Sequence, residues 1–258
     1  MKILNKAELR EYIFGLNGKE EFNWTTDVKD KFEEVKVNDF SGLFEGLSFK
    51  KISLEGCTNL KVISTSKMFK NCRELEYIHL GSVVNDYCKN VTYMFQGCKS
   101  LNDIEWNKFS VSSCDSLEGM YDGCESIDII RFGGTYYAHI FSVKDTFRNC
   151  KKLDLLDLSF LYLGGDYGFD TMLEGCIALD TVYLPEEDAE ATIITDFIRN
   201  KLGREIYYTQ DGEEVEYETP KDAVDWARAE IRLRPDNRPT VWRYVERESD
   251  PFDSSELF

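Results

Sequence analysis

Five cysteines, Cys72, Cys98, Cys124, Cys150 and Cys176, follow one another at intervals of 26 residues. An interval of that size, kept four times running, belongs to a chain that winds and stacks on itself. The neighbouring residues repeat with the cysteines: MFKNCRELEYIHL from Met68, MFQGCKSLNDIEW from Met94, MYDGCESIDIIRF from Met120, TFRNCKKLDLLDL from Thr146 and MLEGCIALDTVYL from Met172. The shared pattern is Met-aromatic-x-Gly/Asn-Cys-x-x-Leu-x-x-Ile-x-Leu. Cys88 and Cys114, outside the motif, are also 26 apart. A degenerate coil precedes the array. LFEGL from Leu43 and then FKKISL match it one residue short, and GCTNLKVI from Gly56 repeats only its middle. End repeats are atypical because one side has no neighbour.

The pattern dictates the local structure of a coil. In L-x-x-I-x-L the last two apolar residues sit two apart, the period of a strand with one buried face. Met, aromatic and Cys at i, i+1 and i+4 fit a short helical turn over that strand. Gly or Asn just before Cys suits a turn with positive φ. One coil of this length cannot bury its own apolar face, so stacking must supply the core. Parallel strands about 4.8 Å apart would carry five coils over roughly 19 Å.

These motifs resemble the BspA-like leucine-rich repeat, with its M-F-x-x-C-x-x-L core and strand, over about residues 41–184. WNKFSVSSCDSLEGMYDGC, from Trp106 to Cys124, resembles that family's fuller linker of strand, Ser/Thr-rich turn and helix. The resemblance implies an α/β repeat solenoid, a right-handed leucine-rich-repeat-like array of about six coils, with a binding role. It carries no catalytic residues. Many members of the family are surface-exposed and bear a leader or anchor.

The cysteine ladder has three chemical readings. Zinc sites want pairs such as C-x-x-C, whereas the closest spacing here is 10 residues, between Cys88 and Cys98 and between Cys114 and Cys124. Disulfides usually link non-equivalent positions in an oxidising compartment. A buried ladder of small apolar side chains explains the spacing with no chemistry at all, and is the reading preferred. No cofactor or metal is expected. A nucleophilic cysteine would want a histidine base, and only His79 and His139 exist, neither in a catalytic motif. Gly133-Gly134 and Gly164-Gly165 read as turns rather than phosphate loops. The chain is expected not to be an enzyme. A pocket joining either histidine to an exposed cysteine would change that.

Charge narrows the partners. Over 258 residues, 48 Asp and Glu face 31 Lys and Arg, a net charge of −17. A hydrophobic fraction of 42 % excludes wholesale disorder. Residues 185–258 carry 20 acidic and 10 basic residues, so the acid is concentrated there. Such a field repels nucleic-acid backbone and anionic lipid, and no apolar stretch approaches the ~18 residues of a membrane span. MKILNKAELREYIFGL places Lys6, Glu8, Arg10 and Glu11 where a signal peptide needs an apolar run. The expectation is a cytoplasmic protein, or a surface or secreted one if a leader has been removed.

The outward strand positions form two rows. One is Tyr77, Asp103, Ile129, Leu155 and Thr181; the other is His79, Glu105, Arg131, Asp157 and Tyr183. Ile129 and Leu155 make an apolar centre, which either binds a partner or is covered by the chain's own ends. The aromatic stretches TYYAHIFS and SFLYLGGDYG either fill the solenoid edge or add contact surface.

Three regions follow. Residues 1–40 read as an N-terminal cap, with a helix at 6–14 that places Leu9, Ile13 and Phe14 on one side. Residues 41–184 are the solenoid. Residues 185–258 read as an acidic α+β C-terminal cap and tail. That cap contains a helix over 186–202, a hairpin about Asp211-Gly212, and a second helix opened by Thr219 and Pro220. Its last residues, ESDPFDSSELF, are either a solvated tail or a short recognition peptide. The expected function is a non-catalytic protein-interaction module. Its most concrete form is an acidic inhibitor or adaptor binding a basic protein, for instance a phage-encoded antagonist of a nucleic-acid-handling or defence enzyme. Glu213, Glu214 and Glu216 are the candidate acidic contacts. The alternative is an adhesin of the BspA-like type.

Overall fold

Ile52, Ile78, Ile104, Ile130, Leu156 and Val182 recur at the Ile position of the repeat, and all six are buried. A row of branched side chains at one spacing closes a core only if successive coils lie in register. In the computed structural model they do, forming a β-solenoid of about five turns. The structure describes residues 3–183 apart from 59, 82, 84–86, 106–109, 133–137, 159–160 and 164–167. Beyond 183 it describes Ile194 and residues 208–210, 213–215, 229–232 and 242–244.

The N-terminal end opens with β1 (Ile3–Leu4), helix α1 (Lys6–Gly15), β2 (Glu21–Asn23), a π-helical turn (Thr25–Lys29) and β3 (Glu34–Val35), which pairs with β1. Asn5 and Glu8 form a reciprocal capping box that satisfies two amides at the start of α1. Leu9 and Ile13 are buried, but Phe14 is 62 % exposed. It lies about 100° around the helix from Ile13, outside the buried stripe. β2 pairs in parallel with β4 (Lys51–Ser53), which continues into β5 (Tyr77–His79) and β6 (Asp103–Glu105). A second parallel run holds β7 (Ile129–Ile130), β9 (Leu155–Asp157) and β11 (Thr181–Tyr183). Between its strands, β8 (Ala138–Ile140) and β10 (Leu161–Leu163) form a separate parallel pair, and α2 (Phe169–Met172) is a single helical turn.

The expected helical turn over each strand is instead a tight corner with two left-handed residues four apart. These are Lys67 and Asn71, Tyr93 and Gly97, Gly119 and Gly123, and Asp145 and Asn149. Alternate amides then point along the stack, so Phe69 N–H donates to Met94, Phe95 to Met120, Tyr121 to Thr146 and Phe147 to Met172. A helix would have spent those amides inside its own coil. Above each corner the motif aromatics form a stack. Phe44, Phe69, Phe95, Tyr121 and Phe147 lie 5.4–5.9 Å apart between centroids, with planes within 22° of parallel.

The ladder cysteines are free and buried, as expected, and they also donate. Each thiol reaches the carbonyl of the aromatic in the coil before it: Cys72 to Phe44, Cys98 to Phe69, Cys124 to Phe95, Cys150 to Tyr121 and Cys176 to Phe147, at 3.0–3.2 Å. A small side chain with a donor, rather than merely a small apolar one, is what the position selects. Burial pushes Cys98, Cys124 and Cys150 well above the usual thiol range.

At the far end the solenoid sheet continues with reversed direction. β14 (Ala229–Arg232) pairs antiparallel with β11, with Val182 opposite Ile231. β15 (Trp242–Tyr244) follows, then β12 (Tyr208–Gln210) and β13 (Glu213–Val215). The hairpin about Asp211-Gly212 is present as β12 and β13. The expected second helix is corrected where it is described, because Ala229, Glu230 and Ile231 are strand. Pairing with the open edge of β11 sets that end of the stretch; Thr219 and Pro220, which open it, lie outside the described residues. Of the expected helix over 186–202, only Ile194 is described; it is helical and buried.

Candidate functional site

The alternation of each strand turns the flanking residues outward. On the first run, Tyr77 donates its hydroxyl to Glu105 Oε2 at 2.5 Å. That bond, with partial burial, raises the phenol to about 12. His79 Nε2 lies 3.9 Å from the other Glu105 oxygen, and its Nδ1 lies 3.5 Å from Ser53 Oγ. Asp103 stands exposed beside them. On the second run Ile129 is 46 % exposed, Arg131 is exposed, and Leu155, Asp157 and Tyr183 are half-buried. Thr181, expected outward, is buried and bonds Asp180.

The two strand runs are not one sheet. β6 and β7 belong to different sheets, although their residues occupy equivalent positions. Among the described residues, neither Asp128 nor Ile129 donates to Asn102, whereas Asp103 donates to Glu76, Leu155 to Asp128 and Thr181 to Asp154. A seam therefore divides Tyr77, His79, Asp103 and Glu105 from Ile129, Arg131, Leu155 and Asp157. Ile129 lines its edge. Glu213 and Glu214 lie on β13, the last strand of the seven-stranded sheet; Glu216 lies outside the described residues.

A second outward column was not anticipated. Glu125 sits between Lys99 and Lys151 of the adjacent coils, 2.6 and 2.7 Å away. The two ammonium groups hold its carboxyl at about 2. Asp122 accepts from Gln96 at 2.9 Å and from Arg148 at 2.8 and 3.1 Å, and Arg148 also meets Asp145 at 3.2 Å. Tyr93 donates to Glu118 at 2.5 Å. The column after each cysteine reads Arg73, Lys99, Glu125, Lys151, with the one carboxylate set between two lysines in the sequence itself. In this column the carboxylates pair with bases of adjacent coils.

The inter-coil aromatics are only partly described. His139 on β8 stacks on Tyr162 of β10 at 4.7 Å, and both side chains are exposed. Tyr136, Tyr137, Phe160 and Tyr167 lie outside the described residues. At the N-terminal end Trp24, Lys29, Phe32, Val35 and Cys57 line an open hollow; neither histidine borders it. Among the described residues no group of three His, Cys, Asp or Glu side chains is placed to hold a metal ion. No described helix is long and apolar enough to cross a membrane.

No curated protein matches the chain in sequence. Residues 12–132, from within α1 to just past β7, match the family model described as "Mycoplasma protein of unknown function, DUF285".

Proposed function

We propose that the chain is a non-catalytic protein-interaction module, built on repeats of the BspA-like leucine-rich type, whose outward strand face binds a basic protein partner. The observation that carries this reading is Ile129, 46 % exposed in a strand and flanked by carboxylates of the two neighbouring coils, Asp103 and Glu105 on β6 and Asp157 on β9. An apolar residue held on a rigid strand loses little entropy on binding and gains from desolvation. The surrounding carboxylates steer a positive surface onto it and reject a negative one. Arg131 beside them fixes orientation by excluding a uniformly cationic fit. The acidic C-terminal region adds long-range attraction.

The test is a binding measurement with a purified partner recovered by cross-linking in the native host. Ile129→Asp should speed dissociation tenfold or more, by about 2 kcal/mol. Asp103→Lys with Asp157→Lys should slow association and flatten its salt dependence. Unchanged kinetics for both variants, with melting curves intact, overturn the assignment.

A further inference from the structure

The seam between β6 and β7 extends around the solenoid. On the neighbouring side, coils are joined by a second short ladder through Asp39, Ser64, Asn90, Ser116 and Ser142. Phe40 donates to Ser64, Thr65 to Asn90 and Leu117 to Ser142, but Val91 does not donate to Ser116. Lys89 donates to Ile63, and Phe141 to Asp115, but Asp115 does not donate to Lys89. These are the same two coils that part at the outward face. The corner between the two gaps stays closed, through Tyr93 to Glu118 and Gly97 to Asp122.

Cys88 and Cys114 lie across this gap. They occupy one buried row, Val62, Cys88, Cys114, Ile140, in which every other coil carries a branched aliphatic. Cys114 Sγ is 3.2 Å from the Cys88 carbonyl oxygen, and Cys88 Sγ lies 3.7 Å from Thr65 Oγ1 and from the Asn90 carbonyl oxygen. Laddered residues of adjacent coils are about 4.8 Å apart, within the ~4.4–6.8 Å Cα separation that a disulfide accepts, and the closed corner ties these two coils together beside the gap. The geometry points to a modification site: Cys88 and Cys114 are oxidised to a cross-coil disulfide by a small-molecule disulfide, stapling the seam where backbone bonds are missing.

The exchange balances within the named groups. The Cys88 thiolate attacks one sulfur of the small disulfide, breaks its S–S bond and expels a thiolate that carries off the Cys88 proton. Cys114 then attacks the Cys88 sulfur and expels the second small thiol with its own proton. Two electrons pass from the cysteine pair to the oxidant. The neighbouring Cys114 thiol and the Thr65 hydroxyl outweigh burial and lower Cys88, which makes it the attacking group. Cys98 and Cys124, the motif cysteines of the same two coils, sit beside the corner that stays laddered, whereas Cys88 and Cys114 lie at the gap.

The full chain, reduced and native, is incubated at neutral pH with excess bis(2-hydroxyethyl) disulfide, acid-quenched and mapped without reductant. The expected product has lost two hydrogens, contains one linked peptide joining Cys88 to Cys114, and melts several degrees higher until reductant is added. Cys114→Ser should abolish the link and leave one hydroxyethyl adduct on Cys88. Cys114→Val, which imitates Val62 in the same row, should give the same adduct if the serine variant folds poorly. A native chain that stays reduced, or one whose links scatter among the motif cysteines, overturns the proposal. So does a linked chain that melts lower.

Discussion

Cys124 Sγ lies 3.2 Å from the carbonyl oxygen of Phe95 on the preceding coil, with both side chains fully buried. The thiol fills a small site and joins two coils through a group that carries the aromatic stack. Cys124→Ala should therefore cost about 1–3 kcal/mol in chemical denaturation, from lost volume and a lost inter-coil bond. Cys124→Ser should cost less than alanine, because its hydroxyl keeps a donor. A serine variant weaker than the alanine one would show that apolar character, and not the donor, is selected.

Native thiol reactivity should sort the cysteines in the same way. Burial raises Cys98, Cys124 and Cys150, so little thiolate exists at pH 8. With an aromatic disulfide reagent they should react only as fast as the chain opens, and completely once it is unfolded. Rapid native labelling of these three would contradict both their burial and their bonding.

Phe95 stacks between Phe69 at 5.5 Å and Tyr121 at 5.4 Å. Phe95→Leu keeps most of the volume but loses two ring pairs, and should cost about 1–3 kcal/mol. Phe147 also meets two rings, Tyr121 at 5.9 Å and Phe132 edge-on at 6.3 Å, both more distant than the partners of Phe95, so the equivalent change there should cost somewhat less. Melting of the two variants side by side checks the difference.

Glu125 gives a pH signature. Its carboxyl is lowered from 4.5 to about 2 in the folded chain by Lys151 and Lys99. A lowered folded value means that the stabilisation is present above about 4.5 and is lost as pH falls towards 2. Glu125→Gln should therefore narrow its stability gap to the parent chain across that window. High salt should shrink the gap at neutral pH, because the pair faces solvent. A gap independent of pH would place the effect in packing rather than charge.

Truncation after residue 184 should expose the edge of β11 that β14 covers in antiparallel register. An unpaired parallel edge recruits other chains. The shortened chain is expected to elute as larger species and to lose cooperativity on heating. A monomer with an unchanged melting temperature would show that β14 is dispensable.

What the sequence disclosed and what it hid follow from how each feature is encoded. The buried rows were legible because one residue type recurs, as at Ile52, Ile78, Ile104 and Ile130. The corners were misread as helical because left-handed backbone falls on Lys67, Tyr93 and Asp145 as well as on glycine. The second ladder went unseen because Asp39, Ser64, Asn90 and Ser116 differ in type. They share only a side-chain oxygen that accepts from the amide two residues on. The strand at 229–232 depends on a partner far away in sequence. For the binding face, the outward rows were read from alternation alone. The seam could not be, since equivalent residues flank it and only their backbone bonds are missing.

The corners set a rule for how such a chain can change length. Lys51, Tyr77 and Asp103 stand in one register, as do Ile129, Leu155 and Thr181. Each thiol reaches back one coil, and each corner amide reaches forward one. Gain or loss of 26 residues at any point in the array rejoins equivalent donors and acceptors, whatever the sequence at the junction. A change of one residue within a corner swaps donors for blanks along the stack. The degenerate first coil avoids this by placing its missing residue after the corner, between Gly46 and Lys51, where the chain has left one ladder and not yet entered the next. Copy number is the variable that this architecture leaves open to duplication and excision, and phase is the one that it forbids.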